Sequence, residues 1–477
     1  MNVTQHFFNA AKLHPDKIAI ETEREKISYA LFEKKVNNYI QQFIENGIES
    51  GDKILILHPL SIELYASLLA LLHINCTLVF VEEWTKISDI IQCQKKIKSK
   101  YIICSTKINL MRYFIPEINQ LNRISLKEKN TNTNHPIKVN WKDEAIVSFS
   151  SGSSGKSKAI IRTHDILNAQ FNALKNKIIP CHDAKMMSNF PVVILLNLGL
   201  GITSYFSSNV ILSKLSKTNF NGLYQDIINR QITHVSFSPF LINQLAQYIL
   251  NNHKNKLNLF QIISGGSPFF PSFVENISNN IHSQHFVVLY GSSEAEPIAH
   301  CNAKEILNKR NEKGLYAGVI DTNCNCFIGK IKDGVIEKNE HYEAGEIFVN
   351  GNHVVKNYYN SEEMQAKNKV VFNNEMWHRT GDYGYFDSEN HLFLTGDINR
   401  KFNDEYVLEN EKKIQEIKGI ERATLLDGTA YVQVSDDSNK KAIKTAINEC
   451  CKNIVNIRFI TMPLDRRHHG KIKYKEL

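Results

Sequence analysis

The chain has 477 residues, 42% hydrophobic and 22% charged, which excludes a disordered, collagenous or coiled-coil protein. At ~150 residues per domain, that length suits about three domain-sized units. Lys and Arg exceed Asp and Glu by 57 − 49 = 8, an excess too small for this length to argue for nucleic acid.

The segment Met1–Ile20 has no basic stretch leading into an apolar run, so no signal peptide is expected. Ser28 to Gly47 reads as a helix: Val36, Tyr39, Ile40, Phe43 and Ile44 recur at helical spacing, and Gly47 is a natural stop. Lys53–His58 then reads as a buried strand, Ser61–Leu72 as a helix, Thr77–Val81 as a strand, Lys86–Lys98 as a helix and Tyr101–Ser105 as a strand. The apolar run Tyr65–Val81 is broken by His73 and Asn75 and is too short and polar to span a membrane. The alternation returns with helix Tyr224–Arg230, strand Thr233–Ser238, helix Phe240–Leu250 and strand Leu259–Ser264. Strands alternating with helices predict an α/β fold with largely parallel sheets. From Gly345 the pattern changes to short strands with Gly and Asn turns, so a β-rich module is expected. From Asn399 onward a further αβ pattern carries 16 Lys/Arg against 12 Asp/Glu, half of the net charge.

The nine cysteines include no C-x-x-C pair, and neither Cys324/Cys326 nor Cys450/Cys451 has zinc-site spacing. Free thiols in a reducing cytoplasm are expected.

The strongest chemical signal is Ser148–Ala159, SFSSGSSGKSKA, after the apolar Ala145-Ile146-Val147. Small residues let backbone N–H groups approach an anion, and hydroxyls and lysines add donors and charge. A Walker A loop is excluded, because it needs Gly where Ser150 stands. On its own the stretch suits a phosphate cradle or a flexible surface loop equally.

Its companions decide. Ser151-Gly152-Ser153-Ser154-Gly155-Lys156-Ser157-Lys158-Ala159 resembles the phosphate loop of the adenylate-forming superfamily: acyl-CoA synthetases, luciferases and peptide-synthetase adenylation domains. Tyr290-Gly291-Ser292-Ser293-Glu294, Gly345-Glu346-Ile347, Thr380-Gly381-Asp382 and Pro463 with Gly470-Lys471 are similar to that family's later motifs, in its order. Ile27-Ser28-Tyr29 and Gly51-Asp52-Lys53 fit its opening.

The resemblance implies an α/β body of related subdomains plus the β-rich module, residues 1–398, and a small mobile α+β domain, 399–477, turning about Asn399. It implies that a carboxylate attacks the α-phosphate of ATP and pyrophosphate leaves, with Mg²⁺ present. Two anions must meet, so catalysis is positioning and charge neutralisation. Ser150, Ser151, Gly152, Ser153, Ser154, Gly155, Lys156 and Lys158 would hold the β- and γ-phosphates. Ser293 would meet the α-phosphate and Glu294 the Mg²⁺, a cation that prefers oxygen ligands. Tyr290 and Gly291 would pack on adenine, with Gly266-Ser267-Pro268 opposite, and Asp382 would accept from the ribose hydroxyls. Lys471 would neutralise the developing charge at phosphorus.

The sequence departs from the family at Gly396–Asp404, where a GRxDxxxKxxG pattern is usual. Asp397 replaces the arginine, Asn399 stands at the hinge and Asn403 replaces the lysine. A carboxylate cannot do a guanidinium's work beside phosphates, so Arg400 is the expected substitute. Adenylation is therefore better supported than thioester formation. The acid pocket should involve Phe190, Val193, Asn197, Gly199, Gly265 and Gly291. The segment Phe190–Gly201 lacks the Asp that holds an α-amino group, so an acyl or aryl acid is expected. This stretch is most similar to the fatty-acid-ligase-like branch that includes olefin β-lactone synthetases.

The acceptor could be CoA, the pantetheine arm of a carrier protein, an amine or an internal hydroxyl. Two rival readings are a non-catalytic nucleotide-binding member, motivated by Asp397 and Asn403, and a nucleic-acid binder, motivated by the basic tail Arg466–Lys473.

Overall fold

The computed structural model describes residues 1–81, 87–127, 143–151, 157–188, 190–211, 217–398, 400, 406–434, 440–464 and 472–477. The chain forms two compact units, 1–236 with 355–365, and 237–354 with 366–477. The expected boundary after residue 398 falls within the second unit.

The first unit carries ten strands before residue 234: β1 (Ile18–Glu21), β2 (Lys26–Ser28), β3 (Lys53–Leu57), β4 (Thr77–Phe80), β5 (Tyr101–Cys104), β6 (Asn122–Arg123), β7 (Glu144–Ser151), β8 (Ser157–Thr163), β9 (Lys185–Ser188) and β10 (Thr203–Tyr205). β11 (His234–Phe237) follows. One sheet has the order β6-β5-β3-β4-β7-β8, parallel except for the β7/β8 hairpin. In the second group β11, β9, β10 and β1 pair in parallel and β2 runs antiparallel to β1.

The predicted elements between residues 28 and 105 form within a residue or two, for visible reasons. The Ser28 hydroxyl caps helix Tyr29–Glu45 by accepting from Leu31 N, and Ser61 caps helix Ile62–His73 by accepting from Leu64 N. Gly47 takes φ +73° just past the first of these helices. The core holds Tyr29, Phe32, Tyr39, Phe43, Ile54 and Leu68, with β3 sandwiched between helical layers.

The second unit contains β12 (Leu257–Gly265), β13 (Ile281–Ser292), β14 (Ala295–Asn302), β15 (Leu315–Ile320), β16 (Asn325–Lys332), β17 (Val335–Lys338), β18 (Gly345–Asn350), β19 (Lys369–Phe372), β20 (Glu375–Phe386) and β21 (His391–Asp397). Their order is β17-β16-β18-β20-β21-β15-β14-β13-β12, with β19 on β20. Only β12/β13 is parallel. The antiparallel region therefore begins at β13, well before Gly345 where the sequence placed it. The hairpins explain themselves: Asp333-Gly334 between β16 and β17, and Asn373-Asn374 between β19 and β20, all have positive φ, as two-residue turns require.

After residue 406 come β22 (Ile420–Leu426), β23 (Thr429–Val434) and β24 (Asn456–Phe459) in a three-stranded sheet, with helices Val407–Gln415 and Lys440–Cys450. Asp427-Gly428, both at positive φ, make the β22/β23 turn. Ile414, Leu425, Val432, Ile443 and Ile447 give this segment its own core. All nine cysteines are free thiols. Among the described residues, no helix is long and apolar enough to cross a membrane.

Candidate active site

In the first unit, the residues flanking the phosphate loop lie on two antiparallel strands. β7 and β8 pair as Ser150↔Lys158 and Ser151↔Ser157. Gly152, Ser153, Ser154, Gly155 and Lys156 lie outside the described residues. The Lys158 ammonium lies 5.9 Å from the Tyr358 ring centre, and Tyr359 N donates to Ala159 O at 3.0 Å. The segment 355–365 thus packs on the strand that carries Lys158.

Helix Pro191–Leu200 carries the expected acid-pocket residues of this unit. Phe190 precedes it, its N–H held by Ser188 Oγ at 2.9 Å, and Val193 is half-buried. Two of them are closely packed. Asn197 is fully buried, donates from Nδ2 to Ser204 Oγ at 3.1 Å and gives its carbonyl to the Tyr29 hydroxyl. A Cβ on Gly199 would come 2.6 Å from the Phe171 ring and 3.0 Å from His6 Cβ. Both pack their helix against neighbouring elements of the first unit.

In the second unit, two loops leave the carboxyl ends of the parallel pair β12/β13, the usual ligand side of such strands. At the end of β12, Gly265 pairs with Leu289, and a Cβ there would lie 2.5 Å from Leu289 O. Gly266 has φ +86° and turns the chain into Ser267-Pro268. At the end of β13, Tyr290-Gly291-Ser292 turns into β14 through Ser293-Glu294, with Ser292 opposite Ala295. A Cβ on Gly291 would meet Ala295 O at 2.8 Å. Both glycines are where two backbones approach too closely for a side chain. Glu294 is buried to 8% exposure, and its N–H is held by Ser292 Oγ at 3.2 Å.

The structure brings Tyr290 and Asp382 together: the tyrosine hydroxyl donates to Asp382 Oδ2 at 2.8 Å. Burial first, and the Asp382 charge second, push the Tyr290 phenol well above its ordinary pKa. Asp382 is fixed from its own turn too. Its N–H donates to Thr380 Oγ1 at 3.1 Å, Thr380 donates to Ile347 O at 3.0 Å, and Gly381 has φ +76°. Beside it, Arg379 grips Glu346 through both Nε and Nη2, the latter at 2.6 Å. That pair holds β18 to β20 under the Thr380-Gly381-Asp382 turn. Sequence reasoning passed over it, although Glu346 and Arg379 each sit inside a quoted motif or next to one.

Asp382 stands directly opposite Asp397 in the β20/β21 ladder. Two carboxylates facing each other across strands repel. Each has a donor: Tyr290 for Asp382, and Arg400 Nε for Asp397 at 2.6 Å. Arg400 also reaches Glu411 through Nη1, Thr424 Oγ1 at 3.2 Å, and the Tyr474 ring at 4.6 Å, and its side chain is 5% exposed. Arg400 was expected to join Asp382 at the ribose; in this structure it meets other groups. Its guanidinium is committed to Asp397 and to residues of the 406–477 segment. Asn399, Asn403 and Lys471 lie outside the described residues.

Asp387, Glu389 and His391 also cluster, but Lys309 Nζ stands 3.8 Å from Asp387 and 3.9 Å from Glu389 and meets their charge. A groove of about 580 Å³ lies among Cys326, Phe327, Lys338, Trp377 and Asn390, and no predicted site residue lines it.

The chain belongs to the AMP-binding enzyme family, which matches residues 7–359. It is 25% identical over 421 residues to 2-succinylbenzoate–CoA ligase of Oceanobacillus iheyensis, spanning 87% of this chain and 84% of that one. The amide bond synthetase McbA from Marinactinospora thermotolerans has the same fold, with a TM-score of 0.83 at 18% identity over 99% of both chains. So has the o-succinylbenzoate coenzyme A synthetase of Bacillus subtilis in complex with ATP and magnesium ion, with a TM-score of 0.82 at 17% identity over 99% of this chain and 98% of that one. The α/β fold expected from the sequence is the fold of these enzymes.

Proposed function

We propose that the chain is an acid-activating ligase. It joins a carboxylic acid to AMP from ATP with release of pyrophosphate, then passes the acyl group to an acceptor. Family membership supports this, and the observation that carries it is the Tyr290–Asp382 pair at the carboxyl end of the β12/β13 region. A carboxylate held by a phenol and by its own turn presents oxygens to two vicinal hydroxyls, as a ribose offers. Glu294, a nearly buried oxygen donor on a tight turn, suits Mg²⁺. When bound, the ion would supply charge neutralisation at the phosphates.

Of the first unit, Ser150, Ser151 and Lys158, with the loop 152–156, would take the β- and γ-phosphates; of the second, Ser293 would take the α-phosphate, and Gly266-Ser267-Pro268 the adenine with Tyr290. Lys471 would serve the transition state. Phe190, Val193, Gly265 and Gly291 would bound an acyl or aryl acid. Residues 399–477 would move as a small domain about Asn399, which the separate core of the 406–477 segment supports. The ion pair Asp397–Arg400 weighs against the non-catalytic reading, because it removes an uncompensated carboxylate from beside Asp382. A thiol acceptor, CoA or a carrier protein's phosphopantetheine, follows the CoA-ligase relative, and an amine acceptor follows the amide bond synthetase. The free thiols suit a cytoplasmic enzyme.

The test is ATP–pyrophosphate exchange across a panel of acyl, aryl and amino acids. Lys471→Ala should lower exchange by about two orders of magnitude or more. Exchange that survives that change would remove Lys471 from the mechanism. An α-amino acid as the preferred substrate would overturn the pocket reading.

A further inference from the structure

The 406–477 segment buries a second arginine, and two of its nitrogens have no acceptor among the described residues. Arg422 lies on β22 with 6% of its surface exposed. Its guanidinium carbon sits 3.6 Å from the ring centre of Phe240. Phe240 is the second residue of the helix Pro239–Asn252, whose first turn is capped by Ser238. The two nitrogens without an acceptor are Nε and Nη2. The adjoining carboxylate, Glu421, accepts from Gln433 Nε2 at 2.6 Å.

The identity of the two unpaired donors matters. Nε–H and one N–H of Nη2 point the same way along one edge of the guanidinium, the edge that grips two oxygens of a carboxylate or phosphate at once. Here that edge is buried and has no hydrogen-bond partner among the described residues. The planar face is on the ring of Phe240, which lies in the first turn of a 14-residue helix and so near its positive end. Burial pulls the Arg422 pKa down to about 9, and the neighbouring Glu421 charge offsets only part of that fall. Stacking on Phe240 returns part of that cost.

We propose that Arg422, Phe240 and the amino end of the Pro239–Asn252 helix form a binding site for a phosphoryl group, gripped side-on by Nε and Nη2 of Arg422. A helix amino end with an arginine fork suits a tetrahedral oxyanion. Two sources carry that chemistry in an acid-activating reaction: the pyrophosphate released and a phosphorylated thiol acceptor. The site itself does not rest on the acid-activating reading; the choice between these sources does.

The experiment is thermal unfolding of the full chain in sodium chloride, and at equal ionic strength with inorganic phosphate, pyrophosphate or CoA. It is run on the wild type, Arg422→Met and Arg422→Lys. The wild type should gain about 5 °C or more at a hundredfold excess of the preferred anion over its Kd. Arg422→Met should lose that gain yet melt no lower than wild type in chloride, because it removes a buried charge that is only partly compensated. Arg422→Lys, a point charge without the fork, should keep less than half of the gain. The larger shift, with pyrophosphate or with CoA, identifies the source. Equal shifts in wild type and Arg422→Met, or no shift with any of the three anions, would overturn the site. So would an Arg422→Met protein that melts well below wild type in chloride. None of these readings needs a working adenylation step, so failure of the acid panel leaves them intact.

Discussion

Arg400 and Arg422 are both buried in the same part of the second unit, and their surroundings are opposite. Arg400 meets Asp397, Glu411, Thr424 and the Tyr474 ring. Arg422 has the Phe240 ring and an edge with no hydrogen-bond partner among the described residues. Although burial lowers both, the carboxylates of Glu411 and Asp397, with Tyr474, lift Arg400 above its ordinary pKa, whereas Arg422 falls to about 9. A buried guanidinium is thus not one kind of interaction. With carboxylates it fixes a structure; without them it stores an unmet demand for an anion.

The largest predicted effect breaks that comparison if it fails. Arg400→Met strands Asp397 and Glu411, and Glu411 also accepts from Thr424 Oγ1 at 2.7 Å and Leu425 N at 3.0 Å. Chemical denaturation should show a loss of about 3–5 kcal/mol, the cost of breaking a buried pair from one side. Arg422→Met should lose far less, or gain. If the two variants unfold at the same denaturant concentration, the neighbours of a buried arginine do not decide its worth here.

This contrast also marks where sequence reading ran out. The elements from Tyr29 to Cys104 were legible because caps, stops and apolar spacing all sit within a few residues of each other. Tyr290, Glu294 and Asp382 were legible through the motifs that carry them. Arg400 was assigned to the ribose by proximity to Asp397, but Glu411, Thr424 and Tyr474 reach it only through the fold. Asn197 and Gly199 were placed in a pocket because Phe190–Gly201 matches the family's pocket segment; their contacts with Tyr29 and Phe171, distant in sequence, come only with the fold. β14–β17 escaped notice because the Asp333-Gly334 turn was passed over in favour of the Gly345 motif. Arg422 left little signal, because in Ile420–Leu426 it follows Glu421 and reads as half of an exposed charge pair.

A smaller contrast of the same kind separates the cysteines. Cys450 Sγ and Cys451 Sγ share a hydrogen bond at 3.5 Å, and that contact, against burial, brings the Cys450 thiol down to about 7. Burial instead pushes Cys324 up to about 12. The thiolate is the reactive form. Alkylation of Cys450 should therefore rise about tenfold between pH 6 and pH 8 and level off above, while Cys324 stays unmodified in the folded protein. Peptide mass spectrometry after brief iodoacetamide treatment reads both. A Cys450 rate still climbing steeply past pH 8.5 would mean that the neighbouring sulfur does not favour the thiolate.

The smallest effect tests the other half of the Asp382–Asp397 ladder. Asp397 is held by a cation and Asp382 by a neutral phenol, so removing the phenol should be mild where removing the cation is severe. Tyr290→Phe keeps the ring and deletes the 2.8 Å hydrogen bond to Asp382 Oδ2. A hydrogen bond of that kind contributes about 1 kcal/mol net, so the KM for ATP should rise about fivefold with kcat little changed. The fold should hold, because the ring packs with Ile298 and Ile347 in the antiparallel core. A fall in kcat with an unchanged KM would place the hydroxyl at the reacting atoms instead. No change in either would mean that the turn Thr380-Gly381 alone orients Asp382, and the ribose role would then rest on the carboxylate by itself.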